Sequence, residues 1–190
     1  MKYISKLLVK WLLKLGAIST EKEELYEFAI YSFLFSSFPL IVVICIGSIL
    51  NMMLEGILMI LPFMFIRKFS GGFHLKSPII CTISSILLLS LLLLGINLTL
   101  NQNIVFFSSI VMFLAAFIFK MSPIDSEERR LSSKEKKVFR KFCRVILTFF
   151  VLIYILLLIV KMERWAISLG YGIILTGLLQ LPCIAYRHQF

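Results

Sequence analysis

From residue 77 to residue 119 the chain runs 43 residues without an Asp, Glu, Lys, Arg or His. A helix crosses a bilayer core of about 30 Å with about 20 mostly apolar residues. The run is therefore long enough to cross twice, with the polar stretch Asn97-Leu-Thr-Leu-Asn-Gln-Asn103 as the hairpin between the passes. Four further uncharged runs occupy residues 28–54, 56–66, 145–160 and 166–186. A soluble domain of about 150 residues still exposes some 30% of its unfolded surface to water. With 60% apolar residues and only 16% charged, this chain has too little polar side chain to cover such a surface. The same composition excludes disordered and collagen-like chains and disulfide-rich secreted scaffolds.

The expected fold is an all-α integral membrane protein, a single membrane-embedded domain over residues 1–190. Six transmembrane helices are predicted at 28–50, 52–66, 79–96, 104–120, 145–160 and 165–186. The second is the shortest: 15 residues at 1.5 Å rise reach only about 22 Å. Orientation follows from charge. With the N-terminus inside, 18 of the 20 Lys and Arg fall on one side, and only Lys161 and Arg164 fall on the other. The positive-inside rule then makes both termini cytoplasmic. The net charge of +10 is explained by topology, so nucleic acid is not expected as a partner.

Residues 1–27 lack the apolar core of a signal peptide, because lysines fall at 2, 6, 10 and 14. That spacing puts the lysines on one side of an amphipathic helix with Tyr3, Ile4, Leu7, Leu8, Trp11, Leu12 and Leu15 over the remainder. The segment reads as a helix lying in the cytoplasmic interface with its lysines toward anionic lipid headgroups. Packing on the protein's own helices is the other reading, and the two are compatible. In the basic cytoplasmic loop, residues 121–144, Ser132-Ser-Lys-Glu135 fits a capping box that starts the fifth membrane helix.

Few residues can carry chemistry. No Cys-x-x-Cys pair and no zinc spacing occur, so no metal or cofactor is expected. Cys45, Cys143 and Cys183 read as small buried hydrophobes, and His188 as part of a solvated tail. There remains residues 67–82: Arg67-Lys68-Phe-Ser-Gly71-Gly72-Phe-His74-Leu-Lys-Ser-Pro78-Ile-Ile-Cys81-Thr. A cysteine nucleophile needs a base about 3 Å away. Seven residues of continuous helix would separate His74 from Cys81 by about 10 Å. Pro78 breaks that continuity and disfavours helix at Ser77, while Gly71 and Gly72 permit a turn. His74 is thus expected in a folded-back loop and Cys81 on the first turn of the third membrane helix. Helix dipole and imidazolium together favour thiolate at such a position. The short second span would start this loop inside the headgroup layer, where irregular backbone must line a protein cavity.

Arg67, Gly72, His74 and Cys81, with Pro78 nearby, resemble the R-x-x-x-x-G-x-H-x-x-x-x-x-x-C pattern of the accessory gene regulator B family of bacterial membrane peptidases. The likeness extends over the whole chain: about 190 residues, a basic amphipathic N-terminus, six apolar segments, and Ser122-Pro123 followed by Arg129-Arg130-Leu131 after the fourth. The resemblance implies a quorum-sensing cysteine endopeptidase of the cell membrane, its site facing the cytoplasm and the chain a homodimer. Such an enzyme removes the C-terminal tail of an AgrD-type precursor peptide through an acyl-enzyme thioester. A side chain of the peptide then closes a thiolactone or lactone ring. It implies Cys81 as nucleophile and His74 as general base and then acid. Arg67 either binds a substrate carboxylate or anchors the loop, with Lys68 beside it. Gly72 either donates an oxyanion N–H or, with Gly71, only permits the turn. Asp125 is a weaker candidate to orient His74, with a turn role as the alternative. Arg129 and Arg130 either hold an acidic tail or only set topology. A small transporter or export subunit is the competing function, although such proteins place ionisable groups at mid-membrane.

Overall fold

The computed structural model describes residues 2–19, 22–70, 78–124 and 132–182. Among these the secondary structure is entirely helical: α1 (Lys2–Lys14), α2 (Glu23–Ile49), α3 (Met53–Ser70), α4 (Pro78–Thr99), α5 (Ile104–Met121), α6 (Ser133–Ile159) and α7 (Glu163–Leu178). Packing divides the chain into two units, 1–42 and 43–190, with the division inside α2.

In the first unit α1 forms where the lysine spacing predicts a helix. Lys6, Lys10 and Lys14 are exposed, as are Tyr3, Ile4, Leu7, Leu8, Trp11 and Leu15, while Ser5 and Val9 are buried. The helix therefore buries one narrow face and leaves its broad apolar face open.

The second unit is built around α7. Eleven of its 16 residues are buried, from Ala166 to Gly177. Small side chains make this possible, because they let neighbouring backbones approach. A Cβ on Gly172 would overlap the Met59 carbonyl oxygen of α3 and lie 2.6 Å from Pro62 Cγ. Gly170 faces Phe107 and Val111 of α5, and Gly177 faces Leu114 of the same helix. On α4, Gly95 accommodates the Tyr171 hydroxyl, which shares a 2.7 Å hydrogen bond with Thr99 Oγ1. The helix α7 is thus held from three sides.

Four helices, α2, α4, α5 and α6, are long and apolar enough to cross a membrane. The second and sixth predicted spans correspond to α3 and α7, which differ from the other four. α3 carries Glu55, Arg67 and Lys68 within its 18 residues, and α7 has only 16. The helix predicted over 165–186 gives way to a turn at Leu179 and Gln180. Helical backbone resumes at Leu181 and Pro182, the proline having no N–H to donate to the Leu178 carbonyl, and residues 183–186 lie outside the described residues. Pro78 behaves as expected, standing at the first position of α4, where a missing N–H costs nothing. The capping box is present: Glu135 N–H donates to Ser132 Oγ, and Ser132 N–H donates to Glu135 Oε2.

Side-chain bonds define two ends of this unit. At one, Arg164 of α7 pairs with Glu55 of α3 at 2.5 Å and reaches Asn97 of α4 at 3.4 Å. At the other, the Ile124 N–H donates to the Ser70 carbonyl at 2.9 Å, joining the ends of α5 and α3. The Phe69 ring there stacks on Phe142 and meets Phe139 edge-on, both from α6.

Replacing Gly172 with Ala tests this architecture. The overlap is with backbone, which cannot swing away, so a loss of about 3 kcal/mol is expected, at the upper end of ordinary overpacking. Gly177→Ala meets only Leu114 side-chain atoms at 3.1 Å or beyond and should cost about 1 kcal/mol or less. Thermal unfolding of the two variants in detergent checks the order.

Candidate functional site

The Ser70 end of the second unit collects the sequence candidates that the described residues include. Arg67 sits in the last turn of α3, partly buried, its guanidinium carbon 5.4 Å from the centroid of the Phe63 ring one turn back. Lys68 is exposed, with its ammonium 6.0 Å from the Phe69 ring. Cys81 is the fourth residue of α4, a free thiol, partly buried, whose carbonyl accepts the Ser85 hydroxyl at 2.8 Å. The first-turn position expected for it is therefore observed. Gly71, Gly72, His74, Asp125, Arg129 and Arg130 lie outside the described residues, as do Cys183 and His188.

Arg67 and Cys81 share an end of the unit for a simple reason. The far end of α4 is fixed beside Arg164 by Asn97 and beside Tyr171 by Thr99. Eighteen residues of helix, about 27 Å, carry the chain from Thr99 back to Cys81. α3 covers about the same distance from Met53, next to that far end, to Ser70. The intervening segment of seven residues, 71–77, holds His74.

Behind this end lies a buried polar cluster that sequence reasoning did not single out. Gln180, in the turn after α7, is wholly buried; its Nε2 donates to Ser122 Oγ at 3.0 Å. Cys143, on α6, is also fully buried. Among the described residues the Gln180 Oε1 has no hydrogen-bond partner, a deficit of about 1–3 kcal/mol. One signal was available: Gln180 is the sole carboxamide in the uncharged run 166–186. The Glu55–Arg164 pair was also overlooked, although Glu55 is an isolated charge between two apolar stretches. Of the cysteines read as buried, Cys143 is so and Cys45 is not: it lies exposed on α2, an apolar helix for which a lipid-facing thiol is no penalty. No group of His, Cys, Asp and Glu among the described residues has the arrangement of a metal site.

Comparison with known proteins bears on the whole chain. A family model, "Accessory gene regulator B", matches residues 2–183. An AgrB-like protein of Clostridium perfringens (strain SM101 / Type A) is 27% identical over 168 residues, covering 85% of this chain and 76% of that protein. AgrB-like protein 2 of Clostridium perfringens (strain 13 / Type A) is 28% identical over 173 residues, covering 87% and 81%. No solved structure matches.

Thiol labelling separates the two described cysteines of this end. In a Cys45→Ser, Cys183→Ser background, a water-soluble maleimide should add once to the folded protein, at Cys81. Cys143 should react only after denaturation. Peptide mass mapping reads the order, and reaction at Cys143 first would contradict the burial described.

Proposed function

The chain belongs to the accessory gene regulator B family, is a membrane protein with helices of membrane-spanning length, and is thereby linked to quorum-sensing peptide processing; from this premise we propose that it is a cysteine endopeptidase which cuts and cyclises a precursor peptide. The observation that carries the proposal is a free, partly buried thiol on the first turn of α4, one seven-residue segment after Arg67's helix, in a chain matched by the family over nearly its full length.

In the proposed reaction the Cys81 thiolate attacks the scissile carbonyl of an AgrD-type precursor. His74, having taken the thiol proton, returns it to the leaving amine as the C–N bond breaks and the tail departs. The thioester left on Cys81 is then attacked by a side-chain thiol or hydroxyl of the same peptide, deprotonated by His74. Cys81 leaves as thiolate and the ring is closed. Thioester and thiolactone are similar in energy, so the ring forms only where water is kept out. The partial burial of Cys81 supports that exclusion. Arg67 is proposed to hold either a substrate carboxylate or the loop, with Lys68 adding positive charge. Gly72 is proposed as an oxyanion donor, or with Gly71 as the turn. Asp125, Arg129 and Arg130 keep the weaker roles of orienting His74 and meeting an acidic tail.

The topology proposed with this mechanism has six crossings, α3 and α7 being the inner two. Both termini and the site face the cytoplasm, because 18 of 20 basic residues then lie inside. The exposed apolar face and lysines of α1 suit an interfacial helix on anionic lipid. A homodimer is the assembly proposed, on the family resemblance.

The test uses the purified full chain in lipid nanodiscs and the synthetic peptide encoded by the small reading frame adjacent to its gene. Tail release followed by mass spectrometry is expected for the unsubstituted protein. Cys81→Ser should abolish it, His74→Ala should lower it by at least 100-fold, in keeping with loss of a general base, and Arg67→Ala should weaken it. Cleavage that survives Cys81→Ser would refute the proposal.

A further inference from the structure

We propose that Gln180 is a positioning residue for the reaction, holding in place the end of α3 from which the His74 segment departs. The inference rests on the cysteine-peptidase reading above and adds a residue of α7 to it.

The connection runs through a short series of bonds. Gln180 Nε2 donates to Ser122 Oγ at 3.0 Å. Two residues on, the Ile124 N–H donates to the Ser70 carbonyl at 2.9 Å. Ser70 is the last residue of α3, and Gly71 follows it. Ser122 ends α5 through its backbone, its N–H donating to the Ile118 carbonyl. Its hydroxyl is therefore not needed to terminate the helix and accepts from Gln180.

Stability alone gives no reason for a glutamine here. The side chain is wholly buried and its Oε1 lacks a partner among the described residues. Leucine has nearly the same volume and would remove the unpartnered Oε1, although Ser122 Oγ would lose its Gln180 donor, so the two effects on stability largely offset. What leucine cannot do is direct Ser122. The turn at Leu179 and Gln180 follows α7 and sets the carboxamide against Ser122, just past α5. Gln180 thereby couples the best-packed helix of the unit to the segment that follows α5, and through Ile124 to Ser70. An error of about 1 Å in placing a catalytic group lowers a rate by about 100-fold, so a loosened Ser70 should show in turnover.

The experiment compares the full chain with Gln180→Leu, Ser122→Ala, Ser122→Thr and the double variant Gln180→Leu/Ser122→Ala. All are assayed in nanodiscs with the same synthetic adjacent-frame peptide. Gln180→Leu should lower kcat about 10- to 100-fold while KM stays within about twofold, and should unfold within about 3 °C of the unsubstituted protein. Ser122→Ala should give a similar loss. The double variant should be no worse than either single, because both cut one connection. Ser122→Thr, which keeps the hydroxyl, should recover most of the rate. Hydrogen exchange in peptides covering 118–124 should be faster in Gln180→Leu than in the unsubstituted protein. Unchanged kcat in Gln180→Leu, or a loss matched by an unfolding temperature lower by more than about 3 °C, would overturn the inference and leave the peptidase reading intact. Cleavage that does not depend on Cys81, or none by the unsubstituted protein, would overturn both.

Discussion

Lipid tails are as apolar as leucine, so burying leucine gives helices in a bilayer little reason to associate; contact between backbones, through small side chains, does. The overlap-free fit of Gly172 against Met59 and Pro62 is that contact in this chain. It lets α7 lie close against α3, while Gly170 and Gly177 bring α5 against another side. The remaining bonds are distributed about this axis. Glu55–Arg164 and Asn97 hold one end of α3, α4 and α7 together, and Gln180–Ser122 with Ile124–Ser70 hold the other. The inner packing gives rigidity, and the polar bonds at its ends give register.

Register is what a peptidase of this kind would need. The proposed nucleophile starts one helix and the proposed base belongs to the segment between two helices. Neither α3 nor α4 can fix both alone. α4 is pinned at Thr99 and Asn97, so that Cys81 is placed by about 27 Å of stiff helix. α3 is pinned at Ser70 by a bond to the chain after α5. The residues that hold the site are thus largely remote from it.

Much of this was legible in the sequence. The uncharged runs gave the apolar helices, Pro78 marked the start of α4, and Ser132 with Glu135 marked the start of α6. The placing of Cys81 on a first turn followed from Pro78 alone. Hydropathy could not tell α3 and α7 from the others, because a side chain facing protein and one facing lipid are equally apolar. The distinction lies in the small residues of α7, which read as low hydropathy rather than as contact. Gln180 and Arg164 were hidden for a related reason: their significance is a partner far along the chain, Ser122 and Glu55, and spacing within a helix carries no trace of it. Apolar residues continue past Leu178, and hydropathy carries no sign of the turn at Leu179 and Gln180 that interrupts the helix before Leu181 and Pro182.

The claim on which the functional reading stands is that Cys81 carries the peptide covalently. Intact-mass spectrometry of the protein, quenched in acid early in a reaction with the adjacent-frame peptide, measures this directly. The account predicts a species heavier by the mass of the precursor less its tail, with the adduct mapping to Cys81 by fragmentation and released by hydroxylamine. Cleaved peptide with no adduct, or an adduct on another residue, would contradict it.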